Sequence, residues 1–312
     1  MQALLDVILP VFLVIGLGYG AARSGKLSES AVDGVMIFAQ NFAIPILLFR
    51  AISQIDLSAD FSAPLFGSFY LGAFSGFALA FAAGKYLFKR PLEDCIAFGF
   101  TGMFSNSVLL GLAITERAYG TDALKANYAI ISIHAPLFYA IGIIFMETAR
   151  SSGKGTNLGQ LARQIFTAIF SNAIVIGICL GFVVNLTKIT LPETLNAGVD
   201  MMARAALPAA LFGLGGVLVR YKPEGDMKAI ATLTAVSLIA HPAITYGLGK
   251  WVFALDQDQF RSAVLTAAMA PGVNTYLFAN MYGAANRVAA STVLFATAIS
   301  ILSVWVWLAI LP

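Results

Sequence analysis

Ten stretches of about twenty mostly apolar residues, divided by short polar linkers, leave this chain few folds to choose from. A helix of that length crosses the hydrocarbon core of a bilayer, and only helices or closed barrels satisfy every backbone group there. The stretches lie near 4–22, 32–52, 64–88, 94–118, 125–148, 163–185, 194–219, 227–253, 259–282 and 287–311. Only 11% of the 312 residues are charged and 59% are hydrophobic, whereas a soluble domain is about one quarter charged. The expected fold class is therefore an all-α polytopic membrane protein with ten transmembrane helices. A net charge of +3 gives no reason to expect a nucleic-acid partner. The opening MQALLDVILP lacks a basic n-region and a small-residue cleavage site, so it reads as a retained first span. Cys95 and Cys179 both fall in apolar runs and read as small core residues, with no disulfide or metal spacing.

Two of the ten stretches are interrupted. In TAAMAPGVNTYLFANMYG (266–283), Pro271 removes a backbone donor and clashes with the preceding turn, and Gly272 loosens what remains. In FGFTGMFSNSVLLGLAI, Ser105, Asn106 and Ser107 stand in a row inside an apolar run. A break at membrane depth is tolerated only where it is buried in protein or lines a wet cavity. Each break starts a new helix N-terminus, near Ser107 and near Thr275, with exposed amides and a partial positive charge. Such ends take a carboxylate without burying a formal cation. Asn106 and Asn274 have the chemistry both to donate to that carboxylate and to cap the half-helices; alternatively they only satisfy freed backbone groups.

The breaks occupy matching places in two halves. Pro45 and Pro208, Gly84-Lys85 and Gly249-Lys250, and Tyr119-Gly120 and Tyr282-Gly283 recur in the same order at nearly the same spacing. The division is 1–148 for the first five spans, 149–162 for a central cytoplasmic linker and 163–312 for the second five. Five spans per half is odd, so the second half enters the membrane inverted. Lysine and arginine favour the odd-numbered linkers by twelve to six, which puts those linkers inside and both termini outside.

Three stretches, GLGYGAARSGKLSESAVDGVMIFAQNFAIPILLFRAI (16–52), FSNSVLLGLAI (104–114) and APGVNTYLFANMYG (270–283), resemble bacterial members of the auxin efflux carrier family. The resemblance runs through essentially the whole chain. It implies a secondary transporter of the bile-acid/sodium symporter type, with spans 4 and 9 as broken, crossing helices. It also implies scaffold and transport domains built from both repeats, and protomers that often pair. For a bacterial relative it implies the inner membrane and a malate- or malonate-like carboxylate, where plant relatives carry an indole carboxylate. Ser105-Asn106 stands where the family pattern leads one to expect a proline, so the first bend rests on polar side chains alone.

The candidate substrate-binding residues are Asn106, Ser105, Ser107, Asn274, Thr275, Gly272 and Arg204, with Pro271, Gly272 and Asn106 making the breaks. Arg204 is a cation within span 7; either it serves a function or it pairs with Asp200 one turn before it. His134 and His241 are candidates for proton coupling or, alternatively, helix-packing histidines; sodium is the other coupling ion to weigh. Asn127 lines a cavity or bridges helices. Gly72-xxx-Gly76 and Gly177-xxx-Gly181 fit close helix packing, and Asn185-Leu-Thr187 matches a glycosylation sequon. A passive channel is the second function class. For an enzyme there is no GxSxG, HExxH or paired intramembrane aspartate, and no Walker A loop supplies direct ATP drive. No cofactor is expected.

Overall fold

The computed structural model describes residue 2 and residues 4–151 and 158–312, and the regular structure among them is helical. Besides a single turn at Leu57–Asp60, the helices in chain order are α1 (Leu5–Arg23), α2 (Glu29–Gln54), α3 (Ala63–Leu87), α4 (Leu92–Met103), α5 (107–119), α6 (Leu124–Arg150) and α7 (Leu158–Phe170). They continue as α8 (Ala173–Thr187), α9 (Glu193–Leu218), α10 (Met227–Val252), α11 (Gln257–Ala267), α12 (Val273–Tyr282) and α13 (Asn286–Ile310). Polar caps set several starts. Ser62, Asp226 and Asp256 accept first-turn amides of the helices that follow them.

Among the described residues seven helices are long and apolar enough to cross a membrane. An eighth crossing is available if α7 and α8 count as one span. The stretches expected as spans 4 and 9 fold as two pairs of shorter helices, α4/α5 and α11/α12, none of which is long enough to cross alone. The stretch expected as one span near 163–185 is a pair of helices bent by 77°. Asn172 causes that bend by capping α8, its side chain accepting from the Ile174 amide at 2.9 Å. The central linker is also shorter than 149–162, because Arg150 closes α6 and α7 begins at Leu158; residues 152–157 lie outside the described residues.

The apolar surface is divided as a bilayer requires. On α1, Leu5, Leu9, Leu13 and Leu17 are exposed at four-residue spacing, while Val11, Ile15 and Gly18 are buried against the bundle. Such a ladder would be costly in water and costs nothing in lipid. Cys179 follows the same logic: it lies on the exposed face of α8, not in the core where it was expected, whereas Cys95 is buried.

Glycines bring the helices together. A Cβ on Gly177 or Gly181 would run into the backbone of α2 at Pro45 or Phe49, and one on Gly18 or Gly215 would clash across the α1–α9 contact. Gly76 and Gly102 face each other where α3 meets α4, and Gly72 faces Thr245 of α10. Asn185 is not a free acceptor for a glycan. It is buried, and its Nδ2 donates to the Ile52 and Ile55 carbonyls at 2.9 and 2.7 Å, closing the end of α2.

Matching landmarks recur in the two halves. Gly84 packs on Cys95 and Phe98 at the start of α4, and Gly249 packs on Leu255 and Phe260 at the start of α11. Five residues beyond each glycine, Lys89 and Ala254 adopt positive φ angles of 50° and 47°. Gly120 and Gly283, also at positive φ, end α5 and α12. Polar contacts join helix ends. Arg220–Asp33 at 2.7 Å ties the end of α9 to the first turns of α2, and Arg90–Asp226 at 3.2 Å ties the turns that precede α4 and α10. The first turns of α11 are tied by Gln259 to Ser62, by Ser262 to the Ala123 carbonyl and by Arg261 to the Pro312 carbonyl, at 2.7 to 2.9 Å.

Candidate functional site

The two breaks meet. Ser105 and Pro271 form an isolated antiparallel bridge. The Asn106 amide donates to the Ala270 carbonyl at 2.8 Å, and the Gly272 amide donates to the Phe104 carbonyl at 3.1 Å. Pairing is the physical answer to a break at membrane depth: each interrupted helix supplies the partners that the other has lost. Residues 165 or so apart in sequence are thereby fixed within one hydrogen bond of each other.

The new helix ends differ in how they are capped. Asn106 caps α5, its Oδ1 accepting from the Leu109 amide at 3.3 Å, and the Ser107 amide turns back to the Ser105 carbonyl at 2.8 Å. At α12 the cap position belongs to Gly272, and Asn274 does not cap. Pro271 delays the helix so that Asn274 falls in its first turn instead; its Oδ1 accepts from the Tyr139 hydroxyl at 3.4 Å. Thr275 donates its hydroxyl back to the Gly272 carbonyl at 2.8 Å. Both asparagines therefore have Oδ1 engaged, and among the described residues neither Nδ2 group has a partner. Asn106 packs against the cap of α12: a Cβ on Gly272 would stand 3.6 Å from the Asn106 Cα. Ser105, Asn106, Ser107 and Thr275 are buried, and Asn274 is half-buried.

Aromatic rings back the first break. Phe100 of α4 stacks on Phe278 of α12 at 3.9 Å between centroids, and Phe104 contacts Tyr139 and Phe138 of α6. His134 lies 4.8 Å from the Phe104 ring, and Phe69 lies 5.7 Å from both His134 and His241. The two histidines are thus brought together around one phenylalanine, and the Ser105 backbone lies beside His134. Asn127 bridges helices: fully buried, its Nδ2 donates to Thr266 of α11 at 2.7 Å and Thr115 of α5 at 3.4 Å, so it ties the two interrupted spans together.

Arg204 is not at the breaks. It lines a cavity of about 880 Å³ bounded by α1, α2, α5, α6 and α9, whose lining includes none of the break residues. Nor does it pair with Asp200, which is held by Arg50 of α2. The i,i+4 spacing offered Arg204, but the packing of α2 against α9 offers Arg50 instead. A smaller cavity of about 230 Å³, lined by Arg220, Tyr221, Tyr276 and Arg287 among others, adjoins α12. Sequence reasoning missed Tyr139, Arg50 and Tyr128, the last of which lines the larger cavity. Arg50 reads as a linker charge and the tyrosines as ordinary helix residues, and no local signal marks any of them.

Interrupted helices that pair at their breaks, inside a bundle with an apolar outer face, define a polytopic membrane protein of the transporter class. The comparison with known families agrees. The chain belongs to the membrane transport protein family, auxin-efflux-carrier-like, whose pattern matches residues 3–308. It is 26% identical to a Rhizobium meliloti protein named "Putative malonate transporter", over 97% of this chain and 94% of that one. It is 22% identical to "Probable auxin efflux carrier component 5b" of Oryza sativa, over 94% and 92% of the two chains. A third relative, "Uncharacterized transporter YfdV" of Escherichia coli, is 22% identical over 90% and 88%.

Proposed function

We propose that the chain is a secondary active transporter that moves a small organic anion, malonate-like or auxin-like, across a bacterial inner membrane by alternating access. The observation that carries this reading is the antiparallel pairing of the breaks, Asn106 to Ala270 and Gly272 to Phe104. In this reading α4/α5 and α11/α12 are spans 4 and 9 of two inverted five-helix repeats, crossing at the pair. The repeated glycine and positive-φ landmarks support it. The anion's carboxylate takes the Nδ2 groups of Asn106 and Asn274 and the first-turn amides of α12, with Ser105, Ser107 and Thr275 around it.

A carrier fits better than an open channel. Ser105, Asn106, Ser107 and Thr275 are buried and line neither the larger cavity nor the smaller one, as a carrier that exposes its site by moving would have them. His134 and His241, the chain's two histidines, are the coupling pair in this proposal, because both pack on Phe69 and His134 also lies 4.8 Å from Phe104 at the first break. The test is uptake of labelled malonate and indole acetate by proteoliposomes under imposed proton and sodium gradients. Saturable accumulation above equilibrium is expected with at least one anion and one gradient. Uptake that stops at equilibrium under every gradient would mark a channel.

A further inference from the structure

The larger cavity carries four cations, Arg50, Arg117, Lys125 and Arg204, against two carboxylates, Glu116 and Asp200. Three of the four cations are committed. Arg50 holds Asp200, Arg117 donates to the Asp6 carbonyl, and Lys125 lies 3.6 Å from Asp122. Among the described residues Arg204 makes no hydrogen bond and no ion pair, although it lies near the middle of the 26-residue α9. A guanidinium at such a place in a spanning helix is tolerated where it meets water or an anion. Its planar fork matches a carboxylate in two parallel hydrogen bonds. Leu207, Pro208 and Leu211 continue the same wall as apolar surface, which screens the charge less than water does.

We propose that Arg204 and this cavity form an anion-loading site, separate from the paired breaks, that takes the carboxylate of an incoming organic anion first. The identity of that anion rests on the transport reading above; the attraction is a property of the cavity itself. The Arg50–Asp200 pair is part of the device. By occupying the carboxylate one turn from Arg204 it leaves that guanidinium free.

The test places a reporter cysteine at Ala51, on the α2 wall of the cavity, in protein carrying Cys179→Ala. Purified full-length protein is treated with a sulfonate-bearing (anionic) or a trimethylammonium-bearing (cationic) methanethiosulfonate. At low ionic strength the anionic reagent should react faster by about tenfold, and Arg204→Ala should erase most of that preference. Arg204→Lys should keep part of it. Sodium malonate and sodium acetate should both slow the anionic reagent in the parent and not in Arg204→Ala. Arg204 is exposed and makes no contact that folding requires, so both variants should be recovered intact. An unchanged preference in Arg204→Ala, an absence of competition by either anion, or a reporter unreactive to both reagents would overturn the proposal. Asn274→Ala should leave these rates unchanged, so failure of the break site registers in uptake alone.

Discussion

Replacing Asn106 by serine separates two tasks that one side chain performs. Its Oδ1 caps α5 through the Leu109 amide at 3.3 Å, and its Nδ2 is the donor offered to the transported carboxylate. Serine caps a helix about as well as asparagine, so Asn106→Ser should change stability by less than about 0.5 kcal/mol. Asn106→Ala loses the cap as well and should cost about 1 kcal/mol. A hydrogen bond to a charged group contributes roughly 1.5–3 kcal/mol. Both variants should therefore bind the anion about ten- to a hundredfold more weakly than wild type. The assay pairs thermal unfolding of the purified protein with calorimetric titration of malonate and indole acetate. The expected pattern is a normal unfolding midpoint with lost affinity for serine, and a lowered midpoint with the same lost affinity for alanine. Wild-type affinity in Asn106→Ser would refute the donor role and leave Asn106 as a cap alone. A large stability loss in Asn106→Ser would refute the separation of tasks.

Asn127→Ala should cost about 1–3 kcal/mol, because it strands buried Thr266 and loosens α5 from α11; a lowered thermal midpoint checks it, and no change would mean that water replaces the amide. Gly177→Ala and Gly198→Ala should have opposite signs. The first drives a Cβ into the Pro45 carbonyl and should lower the unfolding midpoint, whereas the second meets nothing within 4 Å and should stabilise by about 0.5–1 kcal/mol. For orientation, single cysteines at Lys26 and Pro223 should react with an impermeant reagent only from the cytoplasmic side, and one at Asp122 only from outside. Labelling of Lys26→Cys or Pro223→Cys from outside intact cells would reverse the topology.

What the sequence determined is what local chemistry can enforce. Runs of about twenty apolar residues cannot leave their backbone groups unpaired in lipid, so they form helices wherever the chain places them. Pro271 removes a donor and stops α11 whatever surrounds it, and Ser105-Asn106-Ser107 offers the capping oxygen that starts α5. The matched glycines of the two halves were legible for the same reason, since each serves a local turn or a close approach. Tertiary structure decided who meets whom. Asp200 had a partner one turn away in sequence and took Arg50, 150 residues distant, because α2 packs against α9. Asn274 had the chemistry of a cap and became an acceptor for Tyr139, because Gly272 holds the cap position. Arg204 was grouped with the breaks by residue type and lies instead in a cavity they do not line. The pairing of Asn106 with Ala270 and of Gly272 with Phe104 was likewise beyond local reading. A hydrogen-bond donor in sequence specifies only that it needs an acceptor; which one it finds is set by the packing of helices far apart in the chain.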